Sequence, residues 1–182
     1  TVYGQPDRIP VHEDAPLYTI NPYGRSKLVM EQLIQDWCTA NPRLSAVILR
    51  YFNPIGAHSS GRIGEDPRGE PNNLMPYVAQ VAMGKRKRLV VFGDDYPTSD
   101  GTGVRDYLHV MDLADAHLRA ARYATENSGC QVFNLGTGVG YSVLELVRAF
   151  ERVSGCAIPL KFSARRPGDV AELTANPSKA NS

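Results

Sequence analysis

Ala46-Val47-Ile48-Leu49-Arg50-Tyr51 is a nearly continuous apolar run that ends in a cation and a phenol. A strand with one wet face alternates apolar and polar residues. An unbroken apolar run suits a strand covered on both faces, as in a parallel sheet packed between helices. The loop Phe52-Asn53-Pro54-Ile55-Gly56-Ala57-His58 leaves the carboxyl end of that strand, where open α/β sheets place their ligands.

Strands and helices alternate outward from this run. Residues 5–20 are irregular, with Pro6, Pro10 and Pro16. Asn21 is suited to cap a helix and Pro22 to occupy its first position. Met30, Leu33, Ile34 and Trp37 then recur at i, i+3, i+4 and i+7, which predicts a core-facing stripe as far as Asn41-Pro42. Downstream the pattern predicts helices over 73–83, 111–123 and 141–153, and extended segments over 89–92, 105–110, 131–135 and 158–162. Residues 93–103 form a polar loop rich in Gly, Asp and Pro. This alternation predicts an α/β fold with helical crossovers.

Gly136-Thr137-Gly138-Val139-Gly140 lies between a strand and a helix. Its spacing is not G-x-G-x-x-G, and no carboxylate ends a second strand about 20 residues on. A glycine-assisted turn from strand to helix is expected there.

The composition narrows the function classes. With 182 residues and 42% hydrophobic content, the chain can build one large domain or two small ones. A net charge of +1 gives no electrostatic case for nucleic acid. Lys85-Arg86-Lys87-Arg88 falls between a helix and a strand and reads as a solvated turn. Cys38, Cys130 and Cys156 are odd in number, widely spaced and without metal-ligand spacing. The expectation is a reduced, cytoplasmic protein with no metal. No apolar stretch approaches the roughly 18 residues of a membrane span. Thr1-Val2-Tyr3-Gly4 opens the chain without an initiator methionine, so it reads as the tail of a strand in a piece of a longer protein.

The chemistry begins with Tyr23 and Lys27, four residues apart on one face of the first helix. A free phenol titrates near 10, and a neighbouring ammonium group favours its ionised form. That combination makes a phenol a usable base near neutral pH. Taken alone, the same pair is also consistent with an ordinary aromatic beside a solvated lysine.

The flanking motifs are more specific. They are Pro22-Tyr23-Gly24-x-Ser26-Lys27, Arg50-Tyr51-Phe52-Asn53-Pro54, Pro71-Asn72-Asn73-Leu74-Met75-Pro76-Tyr77, Asp100-Gly101-Thr102-Gly103-Val104-Arg105-Asp106-Tyr107 and Arg165-Arg166-x-Gly168-Asp169. Through them essentially the whole chain resembles the extended short-chain dehydrogenase/reductase family, and within it the branch that epimerises UDP-hexoses at C4. The resemblance implies a Rossmann-like doubly wound parallel sheet with a smaller interleaved α/β domain. Residues 1–72 and 104–136 would be the remainder of an NAD-binding domain, and 73–103 and 137–182 a UDP-sugar-binding domain. It further implies NAD as cofactor, UDP-glucose and UDP-galactose as substrates, a transient 4-keto sugar, and a homodimer packed through helices that include the one carrying Tyr23.

The same resemblance assigns roles. Tyr23 would be the acid/base, Lys27 would assist it and bond the nicotinamide ribose, and Tyr51 and Phe52 would pack near the cofactor. Asn53, Asn72, Asn73, Leu74, the edge Val90-Val91-Phe92, Arg105, Tyr107, Arg166 and Asp169 would form the UDP side. Leu173 would border the substituent at hexose C2. Singly, each arginine also suits a surface ion pair, Asn73 a helix cap and Leu173 a core position. In the family the glycine-rich phosphate loop, the acidic residue for the adenosine ribose and the catalytic serine precede the position of Thr1. The alternatives are another nucleotide-sugar member, such as a 4,6-dehydratase or a decarboxylase, and a non-catalytic NAD-sensing regulator.

Overall fold

The computed structural model describes residues 1–182. Strand β1 (Ser45–Tyr51) pairs in parallel with β5 (Gly129–Leu135), with Ile48 opposite Val132 and Arg50 opposite Asn134. Alternation along β1 sends its side chains to two covered faces. Arg50 meets helix α1 (Pro22–Ala40), where it pairs with Glu31. On the other face, Leu49 packs with Leu108, Leu113 and Leu135, and the Tyr51 ring lies 6.3 Å from that of His117 on α3 (Val110–Glu126). A strand between two helices is what the apolar run requires, and the fold is the Rossmann-like α/β type.

Helix α1 starts where the cap is expected. The Asn21 side chain accepts from the Gly24 N–H at 2.7 Å, and Pro22 occupies the first turn. The face that α1 buries, however, differs from the expected stripe. Met30, Leu33 and Trp37 are exposed and Ile34 is only partly covered, whereas Gly24, Glu31 and Cys38 are buried. The contact line lies one residue further round the helix. Its centre is Glu31, which takes Arg50 of β1 at 2.7 Å with both side chains at most 10% exposed. A buried ion pair occupies the place that periodicity reserves for apolar side chains, so the apolar residues mark the wrong face.

A second sheet follows the end of β1. Strand β2 (Asn53–Ile55) runs parallel to β4 (Val104–His109), which pairs antiparallel with β6 (Gly140–Ser142) and parallel with β8 (Glu172–Leu173). Neither β6 nor β8 was expected, because strands of three and two residues carry no readable alternation. Their partner β4 supplies Asp106, which is fully buried. Its carboxylate accepts from the Thr137 N–H at 2.8 Å, the Gly138 N–H at 2.9 Å and the Ala175 N–H at 3.1 Å. The Gly136–Gly140 turn is therefore folded around the chain's own carboxylate. Gly138 adopts φ 78° there, which disfavours any side chain, and a Cβ on Gly136 would strike the Asp106 carboxylate.

A third group comprises α2 (Leu74–Ala82), β3 (Leu89–Phe92), α4 (Val143–Ser154) and β7 (Leu160–Ser163), with β3 and β7 paired in parallel. It has its own core of Val78, Val81, Leu89, Val91, Val147 and Ile158. Full burial of such a side chain contributes roughly 1.5–3 kcal/mol. Helix α4 opens with a reciprocal cap between Ser142 and Glu145 and ends at Gly155, φ 69°. The basic turn after α2 is not wholly solvated. Arg86 folds back to donate to Gln80 Oε1 at 2.7 Å, with its guanidinium 4.7 Å from the Tyr77 ring centre. A short α5 (Ser178–Asn181) ends the chain, and no helix is long and apolar enough to cross a membrane.

Candidate active site

Two adjoining cavities sit at the carboxyl ends of β1, β2 and β3. The first, of about 550 Å³, lies between α2, β3, β4 and the 166–169 loop. The second, of about 500 Å³, lies between the head of α1, the end of β1 and residues 168–173. Asn53, Arg105 and Asp169 line both.

The first cavity gathers the expected nucleotide-side residues. Asn72, Asn73, Leu74, Val90, Val91 and Phe92 form one side, and Tyr107 and Arg166 complete the ring with the three shared residues. Pairing of β2 with β4 sets Asn53 opposite Tyr107, whose phenol is pushed above its ordinary value by burial and stays neutral. The Arg166 guanidinium lies 4.8 Å from the Phe92 ring centre and donates through Nε to Asp169 Oδ2 at 3.1 Å. Arg105 donates to its neighbour's carbonyl, Val104 O, at 2.8 Å. Neither arginine is consumed by a buried partner, so both forks can serve an anion. Asn73 stands at the cap position of α2 but makes no capping bond. Its side chain donates instead to Glu65 Oε1 at 2.6 Å.

Further residues to which the sequence assigned no role also line this cavity, among them Glu65, Glu70, Tyr77, Tyr96 and Val143. Tyr96 is 6% exposed, its hydroxyl has no hydrogen-bond partner, and the Arg165 guanidinium covers its ring at 4.2 Å. Val143 arrives with α4, from a part of the chain remote from the other walls, so no local pattern announces it.

The second cavity holds Tyr23, Lys27, Tyr51, Phe52 and Leu173. The Lys27 ammonium lies 5.3 Å from the Tyr23 ring centre, and Lys27 is ion-paired with no carboxylate. Tyr23 is 62% exposed, open to a reactant. Leu173 lines this cavity and not the first, while its other side packs on Val2, Tyr3 and Val11. It is a core residue and a wall residue at once. A phenol and an ammonium group can move a proton at a sugar hydroxyl, and two guanidinium groups next door can hold phosphate.

The relatives have the same arrangement of chain. A UDP-glucose 4-epimerase of Bacillus subtilis is 60% identical over 180 residues, which is 99% of this chain and 53% of the relative. A crystal structure of a Bifidobacterium longum UDP-glucose 4-epimerase in complex with NAD+ and UDP matches 99% of this chain and 54% of its own, with TM-score 0.95 and 53% identity. The UDP-Glc/GlcNAc 4-epimerase of Campylobacter jejuni matches 99% of this chain and 54% of its own, with TM-score 0.77 and 43% identity. The chain thus spans about half the length of the curated relatives it matches. The model of the NAD dependent epimerase/dehydratase family matches residues 1–136. That stretch includes α1 with its Tyr23–Lys27 pair and most of the first cavity, and by it the chain belongs to the NAD dependent epimerase/dehydratase family.

Proposed function

We propose that the whole protein to which these residues belong interconverts UDP-glucose and UDP-galactose with tightly bound NAD. The observation that carries this reading is the meeting of the two cavities at Asn53, Arg105 and Asp169. An anion-binding chamber thereby opens onto a chamber with a proton-transferring pair. The name shared by the relatives favours epimerisation over the dehydratase, decarboxylase and regulatory alternatives.

On this reading Arg105 and Arg166 clamp the diphosphate, the guanidinium fork matching phosphate oxygens. Val90, Val91 and Phe92 hold the base, and Asp169 accepts from ribose hydroxyls. Asn53, Asn72, Asn73, Leu74 and Tyr107 complete the nucleotide side. Tyr23 removes the proton from the hexose 4-hydroxyl and returns it, and Lys27 supplies the charge that favours the ionised phenol. Firm contacts at the nucleotide and a partly apolar wall at Leu173 leave the hexose free to turn between the two halves of the reaction.

Bound NAD would supply the hydride acceptor and donor for hexose C4. The residues present fit its nicotinamide ribose: Tyr23 and Lys27 supply polar groups for sugar hydroxyls, and Tyr51 and Phe52 border the same cavity. Its phosphates would be held by a glycine-rich loop in the rest of the protein.

We assign residues 1–72 and 104–136 to the NAD-binding domain and 73–103 and 137–182 to the UDP-sugar domain. The separate core around Val78, Val91 and Val147 supports that division. Exposed Val29, Leu33 and Trp37 on α1 support a homodimer packed through this helix. The three free thiols support a cytoplasmic location.

The test is Tyr23→Phe in the full-length protein. Turnover falls by at least about 10²-fold, while UDP affinity by calorimetry stays within about twofold, because the phenol acts on the sugar and affinity resides in the nucleotide. Retention of more than half the wild-type turnover would remove Tyr23 from the mechanism.

A further inference from the structure

Glu31 lies four residues after Lys27 on α1 and lines the same cavity as Lys27 and Tyr23. At that spacing a helix ordinarily pairs a carboxylate with an ammonium group. Here it does not. Arg50 of β1 donates through Nε to both Glu31 oxygens at 3.1 Å and through Nη2 to Oε2 at 2.7 Å. Arg50 is itself fixed, donating through Nη1 to the Tyr3 hydroxyl at 2.8 Å and to the Glu13 carbonyl at 3.0 Å. Tyr3 in turn donates to Asn134 Oδ1 at 2.6 Å. The side chains of Arg50 and Glu31 are only 7% and 10% exposed, so their charges are weakly screened.

We propose that Arg50 is a positioning residue for the Tyr23–Lys27 pair: by claiming the Glu31 carboxylate, it leaves the Lys27 charge undivided for the phenol. The inference rests on the acid/base role given to Tyr23 above. The other titratable side chains lining the cavity are Tyr3, Tyr51, Arg105 and Asp169. Burial pushes the Tyr3 phenol up, so it stays neutral. Asp169 is paired with Arg166 at 3.1 Å, and Glu31 with Arg50. Lys27 and Arg105 are then the cavity's charges without an ion-pair partner, and Lys27 is the one beside Tyr23 on α1. If Arg50 is removed, the buried Glu31 carboxylate turns to the nearest cation on its helix, and that cation is Lys27.

The experiment measures kcat/KM for UDP-glucose against pH in the full-length, NAD-loaded protein. Arg50→Leu moves the rising limb of the profile upward by about one pH unit, because a shared ammonium group favours the phenolate less. Glu31→Gln moves it downward, because Arg50 then adds its charge. The double variant restores the wild-type limb, and Arg50→Lys, which keeps the charge, stays close to it. Glu31→Gln conserves volume and hydrogen-bonding reach, so it decides the matter should Arg50→Leu fail to fold. Limbs that coincide in Glu31→Gln and wild type, with only the melting temperature lowered, would show a purely structural pair and overturn the proposal. Tyr23→Phe, run in parallel, separates the two levels. If it keeps its turnover, the underlying reading fails; if it loses turnover while the limbs coincide, only the role of Arg50 fails.

Discussion

The Lys27 ammonium nitrogen stands 5.3 Å from the centre of the Tyr23 ring, one helical turn along the exposed head of α1. The relationship is local: the Asn21 cap starts the helix and the four-residue spacing aligns the two side chains. Lys27→Met in the full-length protein therefore leaves the helix intact. Turnover drops by about 10²-fold, and the rising limb of the pH profile moves to higher pH. Lys27→Arg recovers part of the loss. A Lys27→Met profile that overlies wild type would sever the two residues functionally.

Arg105 and Arg166 face the first cavity from different strands and loops. Replacing either with leucine weakens UDP binding by about 2 kcal/mol, or roughly 30-fold, the scale of hydrogen bonds to a charged group. Turnover of saturated enzyme changes less than affinity. Isothermal titration with UDP checks this, and an unaltered Kd for both variants would move the diphosphate elsewhere.

Asp100 ties the loop before β4 to the head of α4. Burial alone would push its carboxyl up. The Ser142 hydroxyl, the Thr102 hydroxyl at 2.7 Å and the Thr102 N–H at 2.9 Å outweigh that and hold it below the ordinary aspartate value. The unfolded chain therefore takes up the proton first as pH falls. Its contribution is complete above the ordinary aspartate range near 3.9, wanes below it, and is gone once the folded carboxyl is also protonated. Asp100→Asn costs about 1 kcal/mol at pH 7, and the difference from wild type shrinks toward pH 3. Urea unfolding of the full-length protein at the two pH values measures it; a pH-independent difference contradicts the assignment.

Leu173 borders the cavity of Tyr23 and Lys27 and is shorter than a tyrosine. The full-length enzyme is expected to accept UDP-N-acetylglucosamine as well as UDP-glucose. Leu173→Tyr lowers the ratio of N-acetylated to plain sugar turnover by about tenfold or more, the scale of one bulky group in a tight pocket. Wild type inert toward the N-acetylated sugar, or an unchanged ratio in the variant, would show that Leu173 is not the gate.

Sequence reading succeeded where one segment decides the outcome. The apolar run at 46–51 called for a covered parallel strand, and β1 lies between α1 and α3. Asn21 and Pro22 announced the start of α1. Reading failed where distant segments decide. The face of α1 is set by Arg50 reaching from another element to Glu31, which no periodicity within the helix reveals. Strands β6 and β8 exist because β4 offers them both edges. Tyr96, Val143 and Glu65 reach the first cavity only through tertiary packing. The expected nucleotide-side residues came from motif resemblance, and all eleven line that cavity, while Leu173, expected beside the hexose, lines its neighbour.

Strand β3 finds its partner in β7, and the N-terminal loop is stitched to the far end of the chain, where Asn176 meets His12 across 164 residues. A growing polypeptide releases its early segments first, at about 5–20 residues per second. Helix α1 can thus wind, with Tyr23 and Lys27 already aligned, while β7, the strand that pairs with β3, is still unmade. In the meantime the apolar face of β3 has Val78 and Val81 of α2 to pack on, but the edge that β7 takes is unpaired. A ribosome that stalled before Leu160 would hold a polypeptide with Tyr23 and Lys27 aligned but without Arg166 and Asp169, the two walls of the first cavity that come last.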